Sequence, residues 1–364
     1  MDEAVDGDAA PGAHAAAASA TPATSTDLST AIVPRTARVS PGRPVTGAST
    51  VKAMPLHDDE VPVTADDVRR LVAAQHPRWA SLAVTPVSES GTDHLLFRLG
   101  DDGALVARMP KIAWAGEHAL ADARWLPRLA PHVPLTVPAP LAVGEPDDAY
   151  PFHWSVVPWV PGTATADPLD PDATPNLDPA AAATDLGAFV AALRAVDATD
   201  GPVKDGTGRG VPLARLDDDV RRATAEAGDR VDGPAVLKAW DRALEAASDP
   251  VPGTWLHGDL MPGNLLVDGT GEDGRLTAVI DWGALGVGDP AADLPPAWWL
   301  FSGRDRDAFR EAAGAGPGGD LDDGAWERGR GWTLVQGVIA LPYYWDRWPE
   351  FARASQRRVA AAVA

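Results

Sequence analysis

At 364 residues, with 45% apolar and 23% charged side chains, the chain can bury a large core, enough for two domains or for one domain of two lobes. It has no cysteine, which excludes disulfides, thiol catalysis and cysteine-based zinc sites, and it has no apolar run near the roughly 18 residues of a membrane span. A net charge of −21 argues against nucleic acid, whose backbone is held by Lys and Arg, and the acidic start MDEAVDGD is no secretory signal, so a cytoplasmic protein with neither nucleic acid nor membrane as partner is expected.

Residues 1–50 are rich in Ala, Ser, Thr, Pro and Gly and bury too little to offset ordering entropy, which predicts a disordered tail. Folding should begin near Val61, with Thr64 capping a helix that shares Val68, Leu71 and Val72 on one face. Leu82 to Val87 and Leu95 to Leu99 read as strands joined by a small-residue turn, Ser88 to Asp93, and such a turn either lies over phosphates or is a plain hairpin. Asp101-Asp102-Gly103 makes a second turn before the strand Leu105 to Met109. A helix over 117–129 follows, packing Trp125, Leu126 and Leu129, and then strands over 138–143 and 152–157.

Pro158-Trp159-Val160-Pro161-Gly162 reads as a connection between two lobes, where Trp159 and Val160 offer backbone groups to a purine edge or simply form a rigid linker. Beyond it the pattern is helical, with Leu186, Phe189, Val190, Leu193 and Val196 on one stripe, a Gly/Pro-rich loop at 200–212, and helices over 213–227 and 234–247. Further helices are expected near 290–300, 304–313 and 322–362, the last broken at Pro342 and Pro349. Trp298, Trp299, Trp332, Tyr343, Tyr344 and Trp345 make either a sugar-stacking wall or helix-packing core.

The chemistry gathers in residues 255–294. Asn264 to Asp268 and Arg275 to Ile280 are strand-like with Gly269, Gly271 and Gly274 between them, so a hairpin brings Asn264 beside Asp281 and two oxygen ligands converge. Mg²⁺ takes such oxygens together with waters and substrate phosphates. Asp259, five residues before Asn264, is close enough to accept a proton from an attacking hydroxyl. The order Asp, Asn, Asp-x-Gly is that of a kinase catalytic loop.

HGDLMPGNLL, then IDWG, then GDPAADL, resembles the aminoglycoside phosphotransferase family of small-molecule kinases over roughly residues 65–360. The resemblance implies an α+β, protein-kinase-like fold of two lobes: a small antiparallel five-stranded β lobe at 60–158 that binds nucleotide, and a larger mainly helical lobe at 159–364 with the catalytic hairpin and substrate site. It implies that Asp259 is the catalytic Asp, that Asn264 and Asp281 bind Mg²⁺, and that Asp289 and Asp293, with His257, support the loop. Ser90, Gly91 and Thr92 fall on the phosphate turn, where His94 replaces a usual Asn. Arg108 stands where kinases carry the phosphate-binding Lys, and Asp122 where a Glu is usual, with Glu117 as a second candidate partner for Arg108.

Function follows as transfer of a γ-phosphoryl group from ATP, or GTP, to a hydroxyl of a small molecule. Gly258 in place of the Arg of His-Arg-Asp, and the lack of an Ala-Pro-Glu segment, separate the chain from protein kinases. An aminoglycoside-like antibiotic is favoured, with Asp217 to Asp219 and the acids of 320–323 as candidate partners for a cationic substrate. The alternatives are a macrolide, seated on Trp298 and Trp299, an amino-alcohol or sugar, and an inactive kinase-shaped binding module. A monomer or homodimer is expected.

Overall fold

The computed structural model describes residues 60–87, 93–246, 253–269, 271–322 and 324–364. The expected tail over 1–50 and the turn residues Ser90, Gly91 and Thr92 lie outside them.

α1 (Ala65–Gln75) begins where Thr64 and Asp67 cap one another: Thr64 Oγ1 accepts from the Asp67 amide at 3.2 Å, and Asp67 Oδ2 accepts from the Thr64 amide at 2.9 Å. Its apolar stripe, Val68, Leu71 and Val72, is buried against the sheet, which contributes about 1.5–3 kcal/mol for each side chain. The sheet is formed by β1 (Val84–Pro86), β2 (His94–Leu99), β3 (Leu105–Pro110), β4 (Ala142–Gly144) and β5 (Trp154–Pro158), in the order β1-β2-β3-β5-β4 and antiparallel at every pairing. Five strands are therefore found as expected. β4 is shorter and later than the predicted 138–143, because Pro138 and Pro140 have no amide to give a ladder and pairing starts only at Leu141, whose amide reaches Val156 O at 2.8 Å.

α2 (Ala113–Leu129), between β3 and β4, starts four residues before the predicted 117. It serves both halves of the molecule. Asp122 is buried against the sheet side, while Trp125, Leu126 and Leu129 join the helical core and Trp125 meets Trp255 with ring centroids 5.1 Å apart. The 158–162 connection is tied down at both ends, by the Trp159 amide on Ala104 O at 2.8 Å and by β6 (Thr163–Ala164).

The larger core is packed by α3 (Pro179–Arg194), α4 (Asp217–Ala227) and α5 (Gly233–Glu245) together with two small sheets. In these, β6 pairs with β8 (Leu265–Asp268), β8 with β9 (Arg275–Val279), and β7 (Thr254–Leu256) with β10 (Gly286–Gly288). The predicted helix at 290–300 is broken into a single 3₁₀ turn and the short α6 (Pro296–Trp299), since Pro295 and Pro296 supply no helical amide. α7 (Gly303–Ala312), α8 (Ala325–Val338), α9 (Leu341–Tyr344) and α10 (Pro349–Val363) complete the body, with breaks at the two expected prolines. Trp298, Trp299 and Trp332 are at most 2% exposed, so they are helix-packing core and not a sugar-stacking wall. No helix among the described residues is long and apolar enough to cross a membrane.

Candidate active site

The hairpin of β8 and β9 does what its sequence requires. Leu265 pairs with Val279, and the Ile280 amide donates to Asn264 O at 2.9 Å, which sets Asn264 at the mouth beside Asp281. On the other side Asn264 Nδ2 donates to Asp259 O at 2.9 Å and to Asp259 Oδ2 at 3.0 Å. With its amide nitrogen held there, the Asn264 oxygen is left for another ligand.

The loop before Asn264 is fixed by buried acids and a neutral imidazole. Asp293 accepts from the His257 amide at 2.7 Å and from the Gly258 amide at 2.6 Å. The His257 ring spans the loop: its Nε2 donates to Ile280 O at 3.2 Å and its Nδ1 accepts from the Asp259 amide at 3.1 Å. Burial pushes that imidazole down to about 3, so the ring is neutral, as a single donor and a single acceptor require. Gly258 has φ +79, and a Cβ there would lie 3.0 Å from Ala284 O; an Arg at this position would strain the turn. Asp281 is the one non-glycine described residue with positive φ, 61°, a strained backbone of the kind that clusters at functional sites.

Asp259 is fully buried, and its carboxyl is pushed up to about 7, chiefly by burial, against the pull of the Arg209 guanidinium. Arg209 ion-pairs with Asp259 Oδ1 and also donates to Gly258 O at 3.3 Å. This arginine, from the 200–212 loop, was invisible to sequence reasoning, because no spacing links a loop residue to a motif fifty positions on. Arg328 of α8 was missed for the same reason. It holds Asp289 through two bonds of 2.9 and 3.1 Å and Asp322 through two of 2.6 and 2.7 Å. Asp289 in turn caps the 3₁₀ turn by accepting from the Ala291 amide at 3.0 Å; of the two expected loop supports, Asp293 bonds the loop amides directly, whereas Asp289 bonds the turn that carries Asp293.

On the sheet side, Arg108 of β3 pairs with Asp122 at 3.0 Å and lies 3.8 Å from Asp281. Glu117 is exposed, so Asp122 is the partner, and the longer fork of Arg108 makes up for the missing methylene. Burial pushes Asp122 up to about 6 against the lowering by Arg108. His118, one turn earlier on α2, packs its Nδ1 where a Cβ on Gly283 would come within 2.9 Å, and burial holds it near 4 and neutral. Its position four residues from Asp122 was the available signal. In the connection, the Trp159 amide is consumed by Ala104 and its ring is covered by Arg98 at 4.0 Å, whereas the Val160 amide enters no backbone hydrogen bond. Trp159 can therefore present only its carbonyl to a base.

Asn264 and Asp281 suit a hard divalent cation: two oxygen-bearing side chains from adjoining backbone, with no group of three or more His, Cys, Asp or Glu among the described residues that would cage a metal entirely. A cation held by these two side chains would take its remaining ligands from water and phosphate.

A family model for the phosphotransferase enzyme family matches residues 83–332. The chain belongs to that family. It is thereby one of the small-molecule phosphotransferases, and its kinase-like fold is shared with solved members. The macrolide 2′-phosphotransferase MphH from Brachybacterium faecium, as apoenzyme, is 27% identical over 82% of this chain and 97% of that one, with a TM-score of 0.53. Aminoglycoside 2′-phosphotransferase-IIIa in its GDP complex is 16% identical over 83% and 99%, at 0.58. A thermostable mutant of APH(4)-Ia, in a ternary complex with AMP-PNP and hygromycin B, is 21% identical over 82% and 98%, at 0.54. No curated protein matches the chain.

Proposed function

We propose that this phosphotransferase moves the γ-phosphoryl group of ATP or GTP to a hydroxyl of a small molecule, with Asp259 as the base. The observation that carries the reading is the double tie of Asn264, whose amide holds the Asp259 carboxylate while its backbone carbonyl holds the residue before Asp281. The base and both oxygen ligands are thus locked in one frame before any substrate arrives.

Asp259 accepts the hydroxyl proton as the acceptor oxygen bonds to the γ-phosphorus. The bond from that phosphorus to the bridging oxygen breaks, and the nucleoside diphosphate leaves. A carboxyl near 7 is half ionised at neutral pH, and Arg209 favours the ionised form that can take the proton. Mg²⁺, held through Asn264 and Asp281, would supply neutralisation of the phosphate charge. Arg108, steadied by Asp122, faces the same phosphates in the role usually given to Lys, and the Val160 amide is free to meet a base edge. In this reading residues 60–158 bind the nucleotide and residues 159–364 bear the catalytic hairpin and the acceptor, in the cytoplasm where nucleotide is supplied. An inactive binding module loses its main support, because the substituted Arg108 and Asp122 do pair.

Of the acids that suggest an amine-bearing acceptor, Asp217, Asp219, Asp320 and Asp322 have arginine partners, and Asp323 lies outside the described residues. Asp217 bonds Arg221 at 2.8 Å and the Trp240 indole at 2.7 Å, Asp219 pairs with Arg222, and Asp320 bonds Arg194 at 2.5 Å. The apolar groove on Trp298 and Trp299 is likewise closed by their burial. The test is acceptor-stimulated release of nucleoside diphosphate in Mg²⁺, with the acceptor gaining the mass of one phosphoryl group. Nucleotide turnover that no hydroxylated acceptor stimulates, and that survives Asp259→Ala, would refute the proposal.

A further inference from the structure

Buried polar atoms nearly always have hydrogen-bond partners, and those that lack them mark a place where a polar group or water is received. Several collect on two neighbouring helices of this chain. On α10, Ser355 Oγ and the Nε and Nη1 of Arg358 are buried without a partner, the residues being 0% and 3% exposed. On α8, both amide atoms of the buried Gln336 are in the same condition. The helices are in contact at this level: a Cβ on Gly337 would lie 2.6 Å from Val359 Cγ2 and 3.4 Å from Ser355 O.

Arg358 stands three residues from Ser355, on the same face of α10. Its guanidinium has one ion pair, Nη2 to Asp167 Oδ2 at 3.5 Å, and lies 5.7 Å from the centre of the Trp299 ring. The Trp299 indole donates to Leu260 O at 3.2 Å, and Leu260 directly follows the base. Arg358 is thus linked through Trp299 to the loop that carries the base, and Arg358 and Asp259 feel each other's charge. Arg209 brings a second guanidinium to the same place. Arg209 is balanced by Asp259 and Arg358 by Asp167, but Nε and Nη1 of Arg358 still lack an acceptor, so a carboxylate would find charge-assisted donors already desolvated, whereas an ammonium group, itself only a donor, could not satisfy them.

We propose that Arg358, with Ser355 and Gln336, forms an acceptor subsite beside Asp259 that takes a carboxylate, so that the phosphorylated molecule is a hydroxy acid of the sugar-acid kind and not a polyamine. This rests on the phosphotransfer reading above and names its acceptor class. It is tested on the full chain with matched acceptors: glucuronate, glucose and glucosamine, and glycerate, glycerol and 2-amino-1,3-propanediol. Diphosphate release gives kcat/KM for each, and calorimetry in the presence of Mg²⁺ and a non-hydrolysable nucleotide gives the affinity.

In at least one set the acid should exceed its neutral parent by about tenfold and the amine by about a hundredfold, the range that charge-assisted bonds provide. Arg358→Met should abolish that preference through KM, and Arg358→Lys should restore part of it. Three results would each overturn the proposal: an amine preferred over its acid, a preference that Arg358→Met leaves intact, or no acid in either set binding more tightly than its neutral parent, in which case the subsite holds water only. Wild-type Mg²⁺-dependent nucleotide binding, measured without acceptor, separates the two levels. Its loss would sink the phosphotransfer reading itself, while its presence together with an amine preference would sink only the carboxylate subsite.

Discussion

The hairpin carrying Asn264 and Asp281 and the set of arginines around it are held by opposite means. Asp259, Asn264 and Asp281 come within 22 positions of one another, and one strand pairing, the Ile280 to Asn264 backbone bond and the Asn264 amide on Asp259 place them. Arg209, Arg328 and Arg358 reach the same region from a loop and two helices up to a hundred residues away, and each meets a buried or nearly buried acid: Asp259, Asp289 and Asp167. The difference teaches that, on the proposed reading, a local hairpin supplies the chemistry, while long-range guanidinium pairs supply the counter-charges of the acids packed around it.

The largest effect belongs to the local side. Asp259→Asn keeps the shape and the bond to Asn264 but removes the base, and kcat should fall by about 10²–10⁴. Turnover within about threefold of wild type would take Asp259 out of the mechanism.

The second belongs to the distant side. Arg328→Met leaves Asp289 buried without its partner, and chemical denaturation should show a loss of about 3–5 kcal/mol. A loss below about 1 kcal/mol would mean that the pair is structurally idle.

A third expectation separates charge tuning from shape. Because burial raises Asp259 to about 7, kcat/KM should rise with pH through that value as the base ionises. Arg209 opposes the rise by favouring the carboxylate, so Arg209→Met should move the midpoint upward and leave part of the rate recoverable at alkaline pH. An unmoved midpoint would show that Arg209 only packs.

A smaller effect distinguishes the two acids of α2. Asp122→Asn should raise the KM for nucleotide several-fold by loosening Arg108, whereas Glu117→Gln, on an exposed residue, should change stability by less than about 0.5 kcal/mol and the KM not at all. Equal effects would place the wrong acid beside Arg108.

What was legible in the sequence follows the same divide. The sheet, the hairpin and the caps are written in near neighbours: Thr64 with Asp67, or Leu265 opposite Val279. The breaks at Pro342 and Pro349 were readable because proline acts on its own turn. Where reading failed, the cause was burial or partnership set by distant chain. Trp298 and Trp299 look like a binding wall until α8 and α10 cover them, and Asp217 and Asp320 look like substrate acids until Arg221 and Arg194 claim them. Arg108 shows the boundary. Its position was read from the strand pattern, but which of two acids it meets depended on the rotation of α2 against the sheet.

Asp259 is proposed to act on the acceptor and Asp281 on the metal-bound nucleotide, and calorimetric titration of nucleotide with and without Mg²⁺ separates the two roles. On the present account Asp259→Ala retains Mg²⁺-dependent nucleotide binding and Asp281→Ala loses it. Mg²⁺-dependent affinity that is the same in both variants, whether kept or lost together, would contradict the division of labour at the hairpin.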